Sequence, residues 1–130
     1  MPCRSLLRFA PLLAICGALG AGCLSPTLPL PPPEEPNTIA QGACNGDVCE
    51  WQIEGDIDPG NTVLITNTVS GSIAGEQDVD DGHYRVPLPG RLCDLVSIAQ
   101  QNDVGERSAE RTFVLQPRAN GSVVDPSACK

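Results

Sequence analysis

The sequence predicts an all-β domain, a small β-sandwich of about seven strands, and three observations carry that reading. Beyond residue 40, apolar and polar residues alternate in short runs; the runs are rich in Val, Ile and Thr; and turn clusters such as Asp58-Pro59-Gly60-Asn61 separate them. No stretch sustains a helical stripe. Trp51 and Ile53, alternating with Gln52 and Glu54, mark the first strand with its two large residues on the core face. The β-branched run Thr62 to Thr68 follows as a second strand across a tight turn. Ser70-Gly71-Ser72 breaks the chain, and Glu76 to Val79 then leads through Asp80-Asp81-Gly82 into His83 to Leu88, where Tyr84, Val86 and Leu88 share a face. That pattern predicts a hairpin. Pro87 cannot donate to a ladder, so this strand is expected either to lie at a sheet edge or to end early, and Pro89-Gly90 is expected to turn the chain. Leu95 to Gln100 is a strand with Val96 and Ile98 inward, Asn102 to Gly105 a loop, and Ser108 to Gln116 a last strand carrying Phe113 and Leu115. After Pro117 the pattern fades towards Cys129.

The N-terminus carries a different message. Arg4 and Arg8, the apolar stretch Phe9 to Leu19 and the small residues Gly20-Ala21-Gly22 are the three parts of a secretory signal peptide, too short to span a bilayer. Cys23 follows at once. This placement resembles the lipobox of bacterial lipoproteins, with Gly20 standing where Leu is usual and Leu19 one place earlier. The resemblance implies that residues 1–22 are removed and that the Cys23 thiol takes a diacylglycerol, with palmitate-type chains holding the protein to a membrane of the bacterial cell envelope. Leu24, not an aspartate, follows the cysteine, which favours the outer membrane. The alternative is an ordinary cleaved signal with Cys23 a plain thiol. From residue 23 to 38 the chain is rich in proline, which predicts an extended stalk; fifteen residues of polyproline II span roughly 40 Å. Residues 39–130 form the single domain.

Of the 130 residues, sixteen are acidic and eight basic. Loss of Arg4 and Arg8 with the signal leaves six bases, for a net charge near −10. Nucleic acid is excluded as a partner on this balance, and contact with a membrane must come from acyl chains. Three of the seven cysteines, Cys3, Cys16 and Cys23, belong to the signal and the lipid site. The other four, Cys44, Cys49, Cys93 and Cys129, read as two disulfides in an exported domain. Three connectivities are open. The turn dipeptide Asn45-Gly46, which can set Cys44 opposite Cys49, favours Cys44–Cys49 with Cys93–Cys129. Their spacing lacks the paired units of a zinc site, and no cofactor or metal is expected.

Three segments together resemble the bacterial immunoglobulin-like domains of secreted and surface proteins. They are Ile53-Glu54-Gly55 with Gly60-Asn61-Thr62-Val63, Val79-Asp80-Asp81-Gly82-His83-Tyr84, and Asn102-Asp103-Val104-Gly105-Glu106-Arg107-Ser108. The likeness covers about residues 50–116 and departs at Glu106-Arg107, where the family has Asn after the glycine. Asp80 to Leu88 is equally similar to the transthyretin-like regulatory domains of carboxypeptidases. Either resemblance implies an immunoglobulin-like sandwich of seven strands and a spacer or binding role.

No residue cluster spells out catalysis. Asp78, Asp80 and Asp81 before Gly82 lack the later acidic ligands of a calcium loop and read as a turn; calcium bridging is the minority reading. His83, the sole histidine, alternates to the face opposite Tyr84 and hence to solvent, and Ser70 and Ser72 have no nucleophile-elbow motif. Glu54 and Asp56 lie on one solvated strand face. Trp51 is expected in the core, and Asn120-Gly121-Ser122 matches a glycosylation sequon that means little in a bacterium. The expected protein is therefore non-enzymatic: a lipid-anchored module meeting a protein or glycan through a sandwich edge or end loops. The alternative is a small exported enzyme or enzyme inhibitor, for which the segment between Cys44 and Cys49 is the natural contact loop.

Overall fold

The computed structural model describes residues 28–77 and 79–130; the signal segment, Cys23 and Asp78 lie outside the described residues. The described chain is all-β and contains no helix. It is a sandwich of two antiparallel sheets. The strands are β1 (Thr38–Asn45), β2 (Val48–Asp56), β3 (Thr62–Asn67), β4 (Ile73–Glu76), β5 (His83–Arg91), β6 (Leu95–Gln101), β7 (Arg111–Val114), β8 (Arg118–Ala119) and β9 (Ser122–Val123). One sheet runs β5-β2-β1-β8-β9 and the other β4-β3-β6-β7. Alternation dictates the core between them: Trp51, Ile53, Tyr84 and Leu88 from the first sheet meet Val63, Ile65, Val96 and Ile98 from the second, all fully buried.

Nine strands stand where about seven were expected. β1 escapes the sequence pattern because Ile39 is its single buried residue, and Gly42 and Ala43 are poor strand formers. The β8–β9 hairpin is too short to show a period, yet its turn is legible: Asn120 and Gly121 both have positive φ (50° and 77°), the type I′ turn that Asn-Gly favours. The expected hairpin across Asp80-Asp81-Gly82 does not form. β4 pairs with β3 and β5 with β2, so residues 77–82 cross from one sheet to the other. Val79 explains the crossing, since it is buried at the sandwich end and its carbonyl accepts hydrogen bonds from Gly60 and Gly82. The Asp58–Asn61 turn is a second crossing. β5 also runs through Pro89-Gly90 to Arg91, and the chain turns at Leu92-Cys93, with Cys93 at φ 73°.

An edge position permits those prolines. On the side of β5 turned away from β2, Pro87 and Pro89 have no N–H, and each remaining donor is taken by a carboxylate. His83 N–H donates to Asp81 (3.0 Å), Arg85 N–H to Glu76 (3.1 Å) and Arg91 N–H to Asp94 (2.9 Å). This long edge offers no donor to an added strand.

The proline-rich segment is fastened to the sandwich over its second half. Pro33 and Pro36 are buried, Gln100 Nε2 donates to the Pro31 carbonyl (2.8 Å), and Arg118 donates to the Pro36 carbonyl (3.2 Å) while pairing with Glu35 (2.6 Å). Polyproline chain leaves its carbonyls unpaired, and these two side chains supply the donors. They lie 69 and 82 residues away in sequence, so the run of prolines alone could not disclose the docking.

Candidate interaction surface at the far end

The two ends of the sandwich differ in kind. The docked N-terminal segment, Asp56, His83 and Gln101 mark the near end, and the strand registers put Val48, Asn67, Arg91 and Leu95 at the far one. At the far end β1 and β2 close in a two-residue loop, Gly46-Asp47, where Gly46 alone has positive φ (67°). The central pair is thus one residue later than the Asn45-Gly46 dipeptide suggests. Cys44 and Cys49 face each other across the ladder and are disulfide-bonded; Cys93 is bonded to Cys129.

A buried polar pair holds the remaining loops. Asn67, on the core parity of Val63 and Ile65, accepts from Val69 N–H (3.0 Å) and Ser70 N–H (3.1 Å) through Oδ1 and donates from Nδ2 to Asp94 (2.7 Å). Asp94 in turn takes Arg91 N–H. Each buried polar atom is satisfied, which fixes the β3–β4 loop against the β5–β6 turn. Between them lies a mostly apolar cleft of 290 Å³ lined by Val48, Val69, Ser70, Pro89 and Gly90. Exposed apolar side chains gather at this end: Val48 and Val69 line the cleft, Val69 being 66% exposed, Leu92 lies in the β5–β6 turn, and Ile73, 71% exposed, and Leu95 lie at the same end on the outward side of the second sheet. Asn67 and this collar were missed in the sequence, although the inward parity of Asn67 was the available signal.

Other singled-out residues fall elsewhere. Trp51 is fully buried as expected and donates from Nε1 to the Gly90 carbonyl (3.0 Å). Ser70 and Ser72 belong to the far end and His83 to the near one. Eight residues of strand, roughly 27 Å, separate His83 from Arg91 beside the cleft, so no Ser–His pair is assembled. Glu54 and Asp56 face solvent and are matched across the ladder, Glu54 with Arg85 (3.0 Å) and Asp56 with His83 (3.1 Å). Asp81 makes the turn before His83, Gly82 supplies φ of 75°, and among the described residues no group of His, Cys, Asp and Glu is placed to hold a metal.

His83 gives a pH-dependent prediction. Its hydrogen bond to Asp56 raises its pKa above the ordinary 6.5, slight desolvation opposes this, and the charges of Asp56, Glu54 and Asp81 add to the rise. The raised value stabilises the fold fully below pH 6.5, and this contribution disappears as pH climbs through the folded value. The effect is small at so exposed a site. In an NMR titration Asp56→Asn should bring the imidazole back towards 6.5; an unmoved midpoint would show that the pair does not form in solution.

The outer faces of the two sheets contrast as sharply as the ends. Glu50, Glu54, Asp56, His83 and Arg85 cover the β2–β5 face. The opposite outer face, on β4-β3-β6-β7, has no charged residue among its described outward positions. Ile73, Thr66, Ser97 and Thr112 form one row across its four strands, and Gly75, Leu64 and Ala99 form the next.

Fold and site together define the class: an all-β sandwich with two disulfides, entered at one end and apolar at the other. Comparison with protein-family models, curated proteins and solved structures finds no match for this chain.

Proposed function

We propose that this is a lipid-anchored lipoprotein of the bacterial cell envelope, on the outer membrane, whose immunoglobulin-like sandwich is a non-enzymatic binding module for a protein partner. The observation that carries the reading is the polarity of the domain. Its N-terminal segment is clamped at one end, whereas the exposed aliphatic collar and cleft lie at the opposite one. A tether through Cys23 would hold the near end to the membrane and present the far end outward. Residues 31–37 are docked on the sandwich, so eight residues, Cys23 to Leu30, separate the proposed anchor from the clasp, a reach of roughly 25 Å in polyproline II geometry. A protein is favoured over a glycan because the described aromatics Trp51, Tyr84 and Phe113 are all buried, which leaves no ring to stack on a sugar. The closed β5 edge leaves no site for strand addition along the longest edge strand of the sandwich. A second reading, an enzyme inhibitor, is favoured by one observation, the disulfide-closed Gly46-Asp47 hairpin projecting beside the cleft.

Intact-mass analysis of the protein from its native membranes tests the anchor. The expected chain begins at Cys23 with acyl mass attached, and Cys23→Ala should release the protein to the soluble fraction. A mature chain without that mass would overturn the proposal.

A further inference from the structure

We propose that the outer edge of β7 is a strand-addition site, where an extended segment of the protein partner pairs with the backbone of Thr112 and Val114. The inference deepens the binding-module reading and rests on it.

Leu115 fixes which backbone groups are left over. Its N–H donates to the Asp94 carbonyl (2.8 Å) and its carbonyl accepts from Cys93 N–H (2.8 Å), so both point to the β6 side. Backbone groups alternate along a strand, which turns those of Phe113 and Arg111 towards β6 and those of Thr112 and Val114 away from it. No strand lies on that outer side, and among the described residues the backbone groups of Thr112 and Val114 have no hydrogen bond. The other edges are closed. β5 has prolines and carboxylates along its outer side; β4 lies in contact with β5, whose Arg85 N–H donates to Glu76 (3.1 Å); and β9 has only two residues.

The unpaired groups name their occupant. Thr112 and Val114 each offer an N–H and a C=O at the two-residue repeat of a strand, and an extended peptide backbone returns acceptors and donors at that same repeat. The layers leave room for it. One sheet has five strands and the other four, and β5 packs on both β4 and β3, so β9 has no strand opposite it on the side where β7 is open. An added strand is the missing fifth.

The same edge ends at Gln116, whose Oε1 is buried without a hydrogen-bond partner two residues beyond Val114, an acceptor that a neighbouring strand can satisfy. A second copy fits this place less well than a partner's segment. If β7 paired with its own image, the β9 strands of the two copies would project at each other, and both chains carry a formal net charge of −8.

An NMR titration of the full chain in detergent micelles tests this, with an end-blocked synthetic peptide of the β6 sequence, Leu95–Gln101, as the probe. That sequence already pairs with β7 from the inside and carries no charge. Saturable shifts of the Thr112 and Val114 amides are expected, with a Kd of about 1 mM because ordering a short peptide offsets much of the gain. Thr112→Pro removes one outward donor where an edge strand tolerates proline, and should weaken binding by about fivefold or more. Methylation of peptide nitrogens guards against misfolding of that variant. Peptides methylated at the Ser97 and Ala99 positions, or at the Val96 and Ile98 positions, carry the block on opposite edges, so one should bind like the parent and the other should not. No shift at about 10 mM peptide, shifts confined to Val69 and Ile73 at the far end, equal binding of the two methylated peptides, or unchanged binding by Thr112→Pro would each overturn the proposal. Dimerisation of the chain itself, abolished by Thr112→Pro, would also overturn it by assigning the edge to a second copy. The acyl mass at Cys23 tests the underlying reading separately.

Discussion

Gly55→Val should destabilise the domain by about 3 kcal/mol or more, among the largest effects of any single substitution. A Cβ at Gly55 would lie 2.5 Å from Tyr84 Oη and 2.9 Å from the ring carbon that bears it. Neither side can retreat. Gly55 and Tyr84 are register partners across β2 and β5, and Tyr84 is wholly buried with its ring laid over the glycine. This is an aromatic filling the space a neighbouring glycine leaves open, and valine takes that space away. The Tyr84 hydroxyl is buried without a hydrogen-bond partner, and burial holds its pKa above the ordinary 10.0. Tyr84→Phe alone should therefore be neutral or stabilising, and combined with Gly55→Val it should recover part of the loss. Denaturant midpoints measure all three; a Gly55→Val midpoint equal to wild type would refute the packing.

Removing the Cys93–Cys129 bond, as Cys93→Ser/Cys129→Ser, should cost about 4 kcal/mol, against about 2 kcal/mol for Cys44→Ser/Cys49→Ser. The difference follows from loop length. The first bond joins residues 36 apart and the second residues 5 apart, so the first restricts the unfolded chain far more. It also holds the C-terminal residues, which beyond β9 have little else to fix them: the Val124 N–H bond to the Pro117 carbonyl and the short Asp125–Ser127 turn. Unfolding of the two variants side by side reads the ratio, and equal losses would refute the loop-length account.

Local patterns were legible in the sequence and pairings between distant segments were not. The alternation of Trp51 with Ile53, and of Tyr84 with Val86 and Leu88, identified core faces because a strand's side chains change sides at every residue. Pro87 correctly marked an edge, since a missing donor is a property of the residue itself. The same alternation carries no information on which sheet a strand joins. For that reason the chain from Glu76 to Leu88 read as a hairpin when it is a crossing. The far-end surface was hidden for a related reason: Val48, Val69, Ile73, Leu92 and Leu95 are unremarkable singly and become a collar only when three loops converge. Asn120-Gly121, weighed as a sugar acceptor, held an unread turn signal.

The docked entry of the chain has a mechanical consequence. If the proposed tether pulls at the near end of β1 while a partner holds the far end, force runs along the strand axes. Ladder hydrogen bonds lie across that direction, so β1 and β2 are loaded in shear, with many bonds strained together and no single bond peeled first. The Cys44–Cys49 bond sits at the distal end of that same strand pair and prevents β1 from sliding out of register. Before β1 feels the load, the clasp of Gln100 and Arg118 on the prolines must give way, which makes it the compliant element of the linkage.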